Sequence, residues 1–168
     1  EKYYGVDMEI AKLLADELGL ELVIDNMDFD SVCLSVGEHK CDIAMAGLTV
    51  STDREKHVTF SESYYQASQR LIVPSDDTVF ADCKDADAVL AKLDELEEEV
   101  KIGVQKGTTG QLFVEGDEDW DFEGFDVTCK AYANGSLAVQ DMLNGKIDYV
   151  MIDAAPADSI TAAINAMQ

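Results

Sequence analysis

Short apolar runs alternate along this chain with stretches whose apolar residues recur at helical spacing, and that alternation constrains the fold more than any other feature. Cys41–Leu48, Val100–Gln105, Val127–Tyr132 and Ile147–Ile152 have the length and composition of strands. In the opening stretch Met8, Ile10, Ala11, Leu14, Ala15 and Leu18 line one helix face, and Gly19 stands where a helix stops. Strands separated by helices predict an α/β class with parallel sheets under covering helices.

The remaining elements follow from local signals. Glu1–Gly5 reads as the end of a turn, and Leu20–Asp25 as a short strand rich in Leu, Val and Ile. Asp30 or Ser31 caps a helix through Val36, which Gly37 ends. Ser51 with Arg54 and Glu55 suggests a short capped helical turn, and Val58–Phe60 a brief strand piece. Arg70–Val73 is a strand stopped by Pro74. Helices are predicted over Ala86–Leu96, after Gly107-Thr108-Thr109-Gly110, from Asn134 or Ser136 through Leu143, and over Ala154–Met167. The turn-like segment 74–78 is the best linker. It divides the chain into a first lobe, 1–74, and a second, 75–157, with 158–168 a candidate to return to the first.

A length of 168 residues with 47% hydrophobic residues is enough for a packed core in either one domain or two small ones. Twelve Lys and Arg against 35 Asp and Glu leave a net charge of −23. That balance argues against nucleic acid, whose phosphates need clustered cations, and against docking on anionic lipid. It suits small ligands and cationic partners. No apolar run is long enough to span a bilayer. Cys33, Cys41, Cys83 and Cys129 form no CxxC; three full pairings or four thiols are open, and the compartment stays undecided. The spacings of Asp28/Asp30 and Asp117/Asp119/Asp121 lack the glycine and glutamate of a calcium loop, so no metal and no cofactor is expected.

Several residues could hold a charged group of a small ligand. Arg54, one of two arginines, lies just past an apolar run, where its guanidinium can clamp a carboxylate or pair with Asp53 or Glu55. Asp153 ends an apolar strand, where an open α/β sheet places its ligands; it can take an amine or cap the next helix. Phe29 is a ring for stacking or a core residue. Thr108 and Thr109 follow Gly107 between a strand and a helix, a turn that can hold an anion or simply cap the helix. No nucleophile elbow, HExxH motif or Cys/His arrangement marks a catalytic centre.

Taken together, these pieces resemble one family. Gly5-Val-Asp-Met-Glu9 is similar to "GFDxD", Asp28-Phe29-Asp30 to "xFDxL", and Ala46-Gly47-Leu48-Thr49 with Arg54 to "AGxTxTxxR". Phe60–Tyr65 resembles "FSxPYY", Val104–Thr109 "VGVQxGTT", and Gly145–Asp148 ending at Asp153 "GRxDAxxxD". These are marks of the polar amino-acid solute-binding proteins of bacterial ABC importers, of the type II periplasmic-binding fold, and they occur in order along nearly the whole chain. The resemblance implies two lobes, each a mostly parallel sheet with covering helices, closing on a free amino acid. It implies no enzyme and no cofactor. It places Arg54 on the ligand carboxylate, with backbone around Thr49 and Thr108 or Thr109 assisting. It places Asp153 on the ammonium, helped by the Thr49 hydroxyl and the Gly47 carbonyl. Phe29, Gln105, Ala46 and Asp7 would lie near the ligand side chain or its loop. Gly47-x-Thr49 looks more like the glutamine-type members than the basic-residue members. The implied partners are a polar, glutamine-like amino acid and a membrane permease. The implied location is periplasmic or extracellular, with the full-length protein lipid-anchored or secreted. Relative to the family, a first strand with its aromatic loop and a segment after Asp153 are expected to be missing. The alternatives are a sensor domain of a receptor, a dehydratase acting on cyclic acids, and a fragment that binds nothing.

Overall fold

The computed structural model describes residues 3–167, so Glu1 and Lys2 of the expected opening turn, and Gln168, lie outside it. The chain separates into two compact units, Glu1–Tyr65 and Gln66–Gln168. The boundary therefore precedes the expected linker. The strand β1 (Gln69–Ile72) pairs with a strand of the second unit, and Asp77, inside the predicted linker, accepts hydrogen bonds from Phe80 N–H (2.9 Å) and Tyr149 O–H (3.0 Å).

The second unit holds one four-stranded sheet in the order β1-β4-β2-β3, with β2 Lys101–Gln105, β3 Thr128–Tyr132 and β4 Tyr149–Asp153. β2 runs parallel to β3 and β4, and β1 is antiparallel to β4. Period-two alternation sends the side chains of β4 to opposite faces. Val150 and Ile152 join Ile72, Ala138, Val139, Met142 and Ala157 on one face, under the helices α6 (Gly135–Leu143) and α7 (Ala154–Asn165). Tyr149 and Met151 join Phe80, Leu93, Ile102, Val104 and Val114 on the other, with α4 (Ala86–Leu93) and α5 (Thr109–Glu115). Gly103 in β2 allows close packing of α6 and of Ile147 beyond it: a Cβ there would lie 3.2 Å from Ala138 Cβ and 2.5 Å from Ile147 Cδ1. A single turn of 3-10 helix, Glu118–Trp120, lies in the acidic stretch. α7 places Ala157, Ile160 and Ile164 on the first face of this sheet, so residues 158–167 pack in the second unit and not in the first as the sequence suggested.

The first unit is built from α1 (Val6–Leu18), a 3-10 turn at Phe29–Ser31, α2 (Val32–Gly37) and α3 (Thr52–Glu55). Gly19 ends α1 in the left-handed region at φ 66°, and the Ser51 hydroxyl caps α3 by accepting from Arg54 N–H at 3.4 Å. The strands expected at 20–25, 41–48 and 58–60 are not formed: among the described residues of this unit there is no β-ladder. A strand exists only through a ladder of hydrogen bonds to a neighbouring strand, and among the described residues these segments form none. Their apolar side chains are correspondingly exposed, Leu20 at 66%, Val23 at 79% and Ile43 at 57%.

Candidate functional site

In the first unit the sequence-predicted residues gather around two polar anchors. Arg54 is half-buried. Its Nη1 donates to the Thr49 carbonyl at 2.7 Å, and its Cζ lies 5.6 Å from the centre of the Phe29 ring. The carbonyl and the ring hold the guanidinium plane, a cation–π arrangement. Asp53 takes a different partner, the Lys56 ammonium, at 2.5 Å. Phe29 is half-buried and has one face against Arg54, so the core reading of this ring does not describe it.

The second anchor is Asp7. Its Oδ2 accepts from Gly47 N–H at 2.8 Å and its Oδ1 from the Tyr64 hydroxyl at 2.8 Å. Gly47 has φ 60°, a left-handed conformation that glycine adopts without a Cβ penalty. Asp7 therefore braces the turn that carries Ala46, Gly47 and Thr49. Both of its oxygens are engaged within the fold. Partial burial and the bond to Asp7 push the Tyr64 hydroxyl up to about 12. Tyr64 belongs to the Phe60–Tyr65 motif, but only its contact with Asp7 gives it a role.

In the second unit, Thr108 caps α5. Its hydroxyl donates to the Gln105 carbonyl at 2.7 Å and accepts from Gln111 N–H at 3.4 Å. The capping alternative thus accounts for Thr108, and Gln105 meets it through backbone. Asp153 occupies the N-cap position of α7 yet makes no side-chain cap. Its Oδ1 instead accepts from Gln69 Nε2 at 2.5 Å, and the same Nε2 donates to Thr109 Oγ1 at 3.2 Å. Gln69 joins two residues 44 positions apart in sequence, and no motif marks it; only the register of β1 on β4, which sets Gln69 opposite Asp153, brings it there.

All four cysteines are thiols; Cys33 is buried and the others half-buried, and burial followed by the neighbouring Glu115 pushes Cys129 up to about 12. Among the described residues, no three His, Cys, Asp or Glu side chains are placed to hold a metal ion, and no helix is long and apolar enough to cross a membrane. His39, Cys41 and His57 line an open cavity of about 590 Å³ in the first unit with Asp42, Glu55 and Lys56.

Comparison with known proteins gives the family and the fold. A family model described as bacterial extracellular solute-binding proteins, family 3, matches residues 1–120. The arginine-binding periplasmic protein of Mannheimia haemolytica is 30% identical over 149 residues, 89% of this chain and 53% of that protein. The lysine/arginine/ornithine-binding periplasmic protein of Escherichia coli K12 is 25% identical over 155 residues, 92% of this chain and 54% of its own length. The chain thus spans about half the length of the curated relatives it matches. Among solved structures, the ancestral amino acid-binding protein AncCDT-1, a precursor of cyclohexadienyl dehydratase, superposes with a TM-score of 0.77 at 28% identity, covering 96% of this chain and 65% of that one. The holo arginine-binding protein of T. maritima gives 0.73 at 28% identity, covering 96% and 64%. The fold class is that of these structures, two-lobed and α/β, and here the sheet of the second unit is flanked by helices.

Proposed function

The chain belongs to the bacterial extracellular solute-binding proteins of family 3, and we propose that it binds a free polar or basic amino acid outside the cytoplasm for delivery to an ABC importer. Arg54 takes the α-carboxylate. Thr49 and Thr109 assist with backbone or hydroxyl donors, and Asp153 takes the α-ammonium. Phe29, Ala46, Gly47, Gln105 and Thr108 shape the surroundings. The observation that supports this most is the state of Asp153: it sits at a helix cap without capping, and its carboxylate is held beside Thr109. An oriented anion of this kind, together with the braced guanidinium of Arg54, supplies the two charges that a zwitterion requires.

Relatives named for arginine, for lysine, arginine and ornithine, and for histidine support a basic ligand. A solved ancestral arginine-binding protein bound to glutamine keeps the glutamine-type reading of Gly47-x-Thr49 in play. Arginine is therefore the first ligand to try and glutamine the second. The partner is the permease of an importer, and the full-length protein is secreted or lipid-anchored.

Calorimetric titration of the chain, refolded to remove carried ligand, tests the reading against arginine, lysine, histidine and glutamine. Micromolar or tighter binding is expected. Arg54→Ala and Asp153→Ala should each weaken it by roughly 30- to 5,000-fold, because each leaves a ligand charge desolvated and unpaired. No heat with any amino acid, or binding indifferent to both substitutions, overturns it.

A further inference from the structure

We propose that Gln69 is a positioning residue that sets the donor and acceptor sense of the ligand-facing groups in the second unit; the proposal rests on the amino-acid-binding reading above. A carboxylate can only accept hydrogen bonds, so the amide end facing Asp153 has to be the NH2 group, and this chemistry fixes which way the Gln69 amide points. Its two hydrogens then serve two partners, Asp153 Oδ1 at 2.5 Å and Thr109 Oγ1 at 3.2 Å. Each bond has a consequence on the far side. With Oδ1 engaged, Asp153 presents Oδ2 as the acceptor for a cation. With its oxygen accepting from Gln69, the Thr109 hydroxyl turns its own proton outward as a donor. One amide thereby leaves an acceptor and a donor next to each other, the complement of the ammonium and carboxylate of a single α-amino acid.

The structure also carries the energetic mark of a residue kept for orientation. Gln69 Oε1 is buried and has no hydrogen-bond partner among the described residues. A buried acceptor left unpaired is unfavourable for folding, so an apolar side chain of the same shape would serve the fold as well. The space for that oxygen exists because residue 110 is glycine: a Cβ there would lie 2.8 Å from Gln69 Oε1 and 3.3 Å from the Met151 carbonyl. The strand register places Gln69 directly opposite Asp153, so the amide reaches the carboxylate from a rigid sheet rather than from a loop.

The test compares L-arginine with its α-hydroxy analogue, argininic acid, which keeps the carboxylate and guanidinium and lacks the ammonium. Gln69→Met preserves length and packing while removing the amide. It should weaken arginine by about 10-fold or more and argininic acid much less, so that discrimination between the two falls. Proportional losses on both ligands overturn the proposal and make Gln69 a packing residue. Gln69→Glu gives a second readout. Two facing carboxylates must share one proton, and a bound ammonium favours its loss, so arginine affinity should rise with pH in this variant and not in the wild type; a flat profile overturns the proposal. If the wild-type chain binds no arginine and no other amino acid, the functional reading fails by itself. The positioning role is then decided in the ligand-free protein from the Gln69 side-chain NH2 resonances. Slowly exchanging protons that move to free-amide positions in Asp153→Ala support it, and protons exchanging like those of a surface glutamine overturn it.

Discussion

From Gln66 onward the buried side chains are large: Phe80, Leu93, Ile102, Val104, Val114, Val139, Tyr149, Val150 and Ile152 fill both faces of a sheet. Before Tyr65 the buried ones are Ala11, Cys33 and Ser35. The first unit is no less apolar in sequence, yet Leu13, Leu18, Leu20 and Val23 are mostly exposed. The difference shows that an apolar run becomes a strand and a core only when a paired neighbour and a covering helix are both present. It also shows that polar anchors can hold site geometry where a core does not: Asp7 links Gly47 to Tyr64, and Arg54 is held by Thr49 and Phe29.

Amide hydrogen exchange should separate the units most strongly. Amides of β2 and β4 are expected to exchange only through global opening, and those of segments 20–27 and 41–50 through local fluctuation, a difference of several orders of magnitude. Uniform protection across both units would break the comparison. Next in size is the response to truncation. Leu93→Ala, at a side chain 1% exposed, should cost about 2–5 kcal/mol in urea unfolding. Leu14→Ala, at 42% exposure on α1, should change stability by about 0.5 kcal/mol or less. A large loss at Leu14 would mean that the first unit has a core after all.

Smaller effects sharpen the role of the anchors. Asp7→Ala removes the acceptor for Gly47 N–H and the Tyr64 hydroxyl, and should cost about 1 kcal/mol per lost bond. The Gly47 amide should then exchange faster while β2 and β4 stay protected. Smallest is an alkaline effect. Burial first, then the bond to Asp77, pushes the Tyr149 hydroxyl up to about 12 from an ordinary 10. The unfolded chain releases that proton from pH 10 upward and the folded chain keeps it to about 12. The stability contribution is therefore complete below pH 10 and is lost as pH rises through that window. Tyr149→Phe should flatten the alkaline limb of an unfolding profile between those values, and an unchanged limb would show that Tyr149 does not carry it.

Local signals in the sequence determined much of this molecule. Helical spacing with Gly19 as a stop, the Ser51 cap and the apolar runs of β2, β3 and β4 are properties of contiguous residues, and each stands where it was expected. The order of motifs around Arg54 and Asp153 was enough to point to the family. Tertiary structure alone decided the rest, because it depends on pairing between segments distant in the chain. The antiparallel register of β1 on β4 made Gln69 the neighbour of Asp153. The packing of Ile160 and Ile164 carried α7 to the second sheet. Asp7 became a brace through contacts 40 and 57 positions away. The runs before residue 65 read as strands but pair with no other strand among the described residues. Periodicity reports which face of an element is apolar; it does not report what will lie against that face, and hydrogen bonds between distant segments leave no periodic trace.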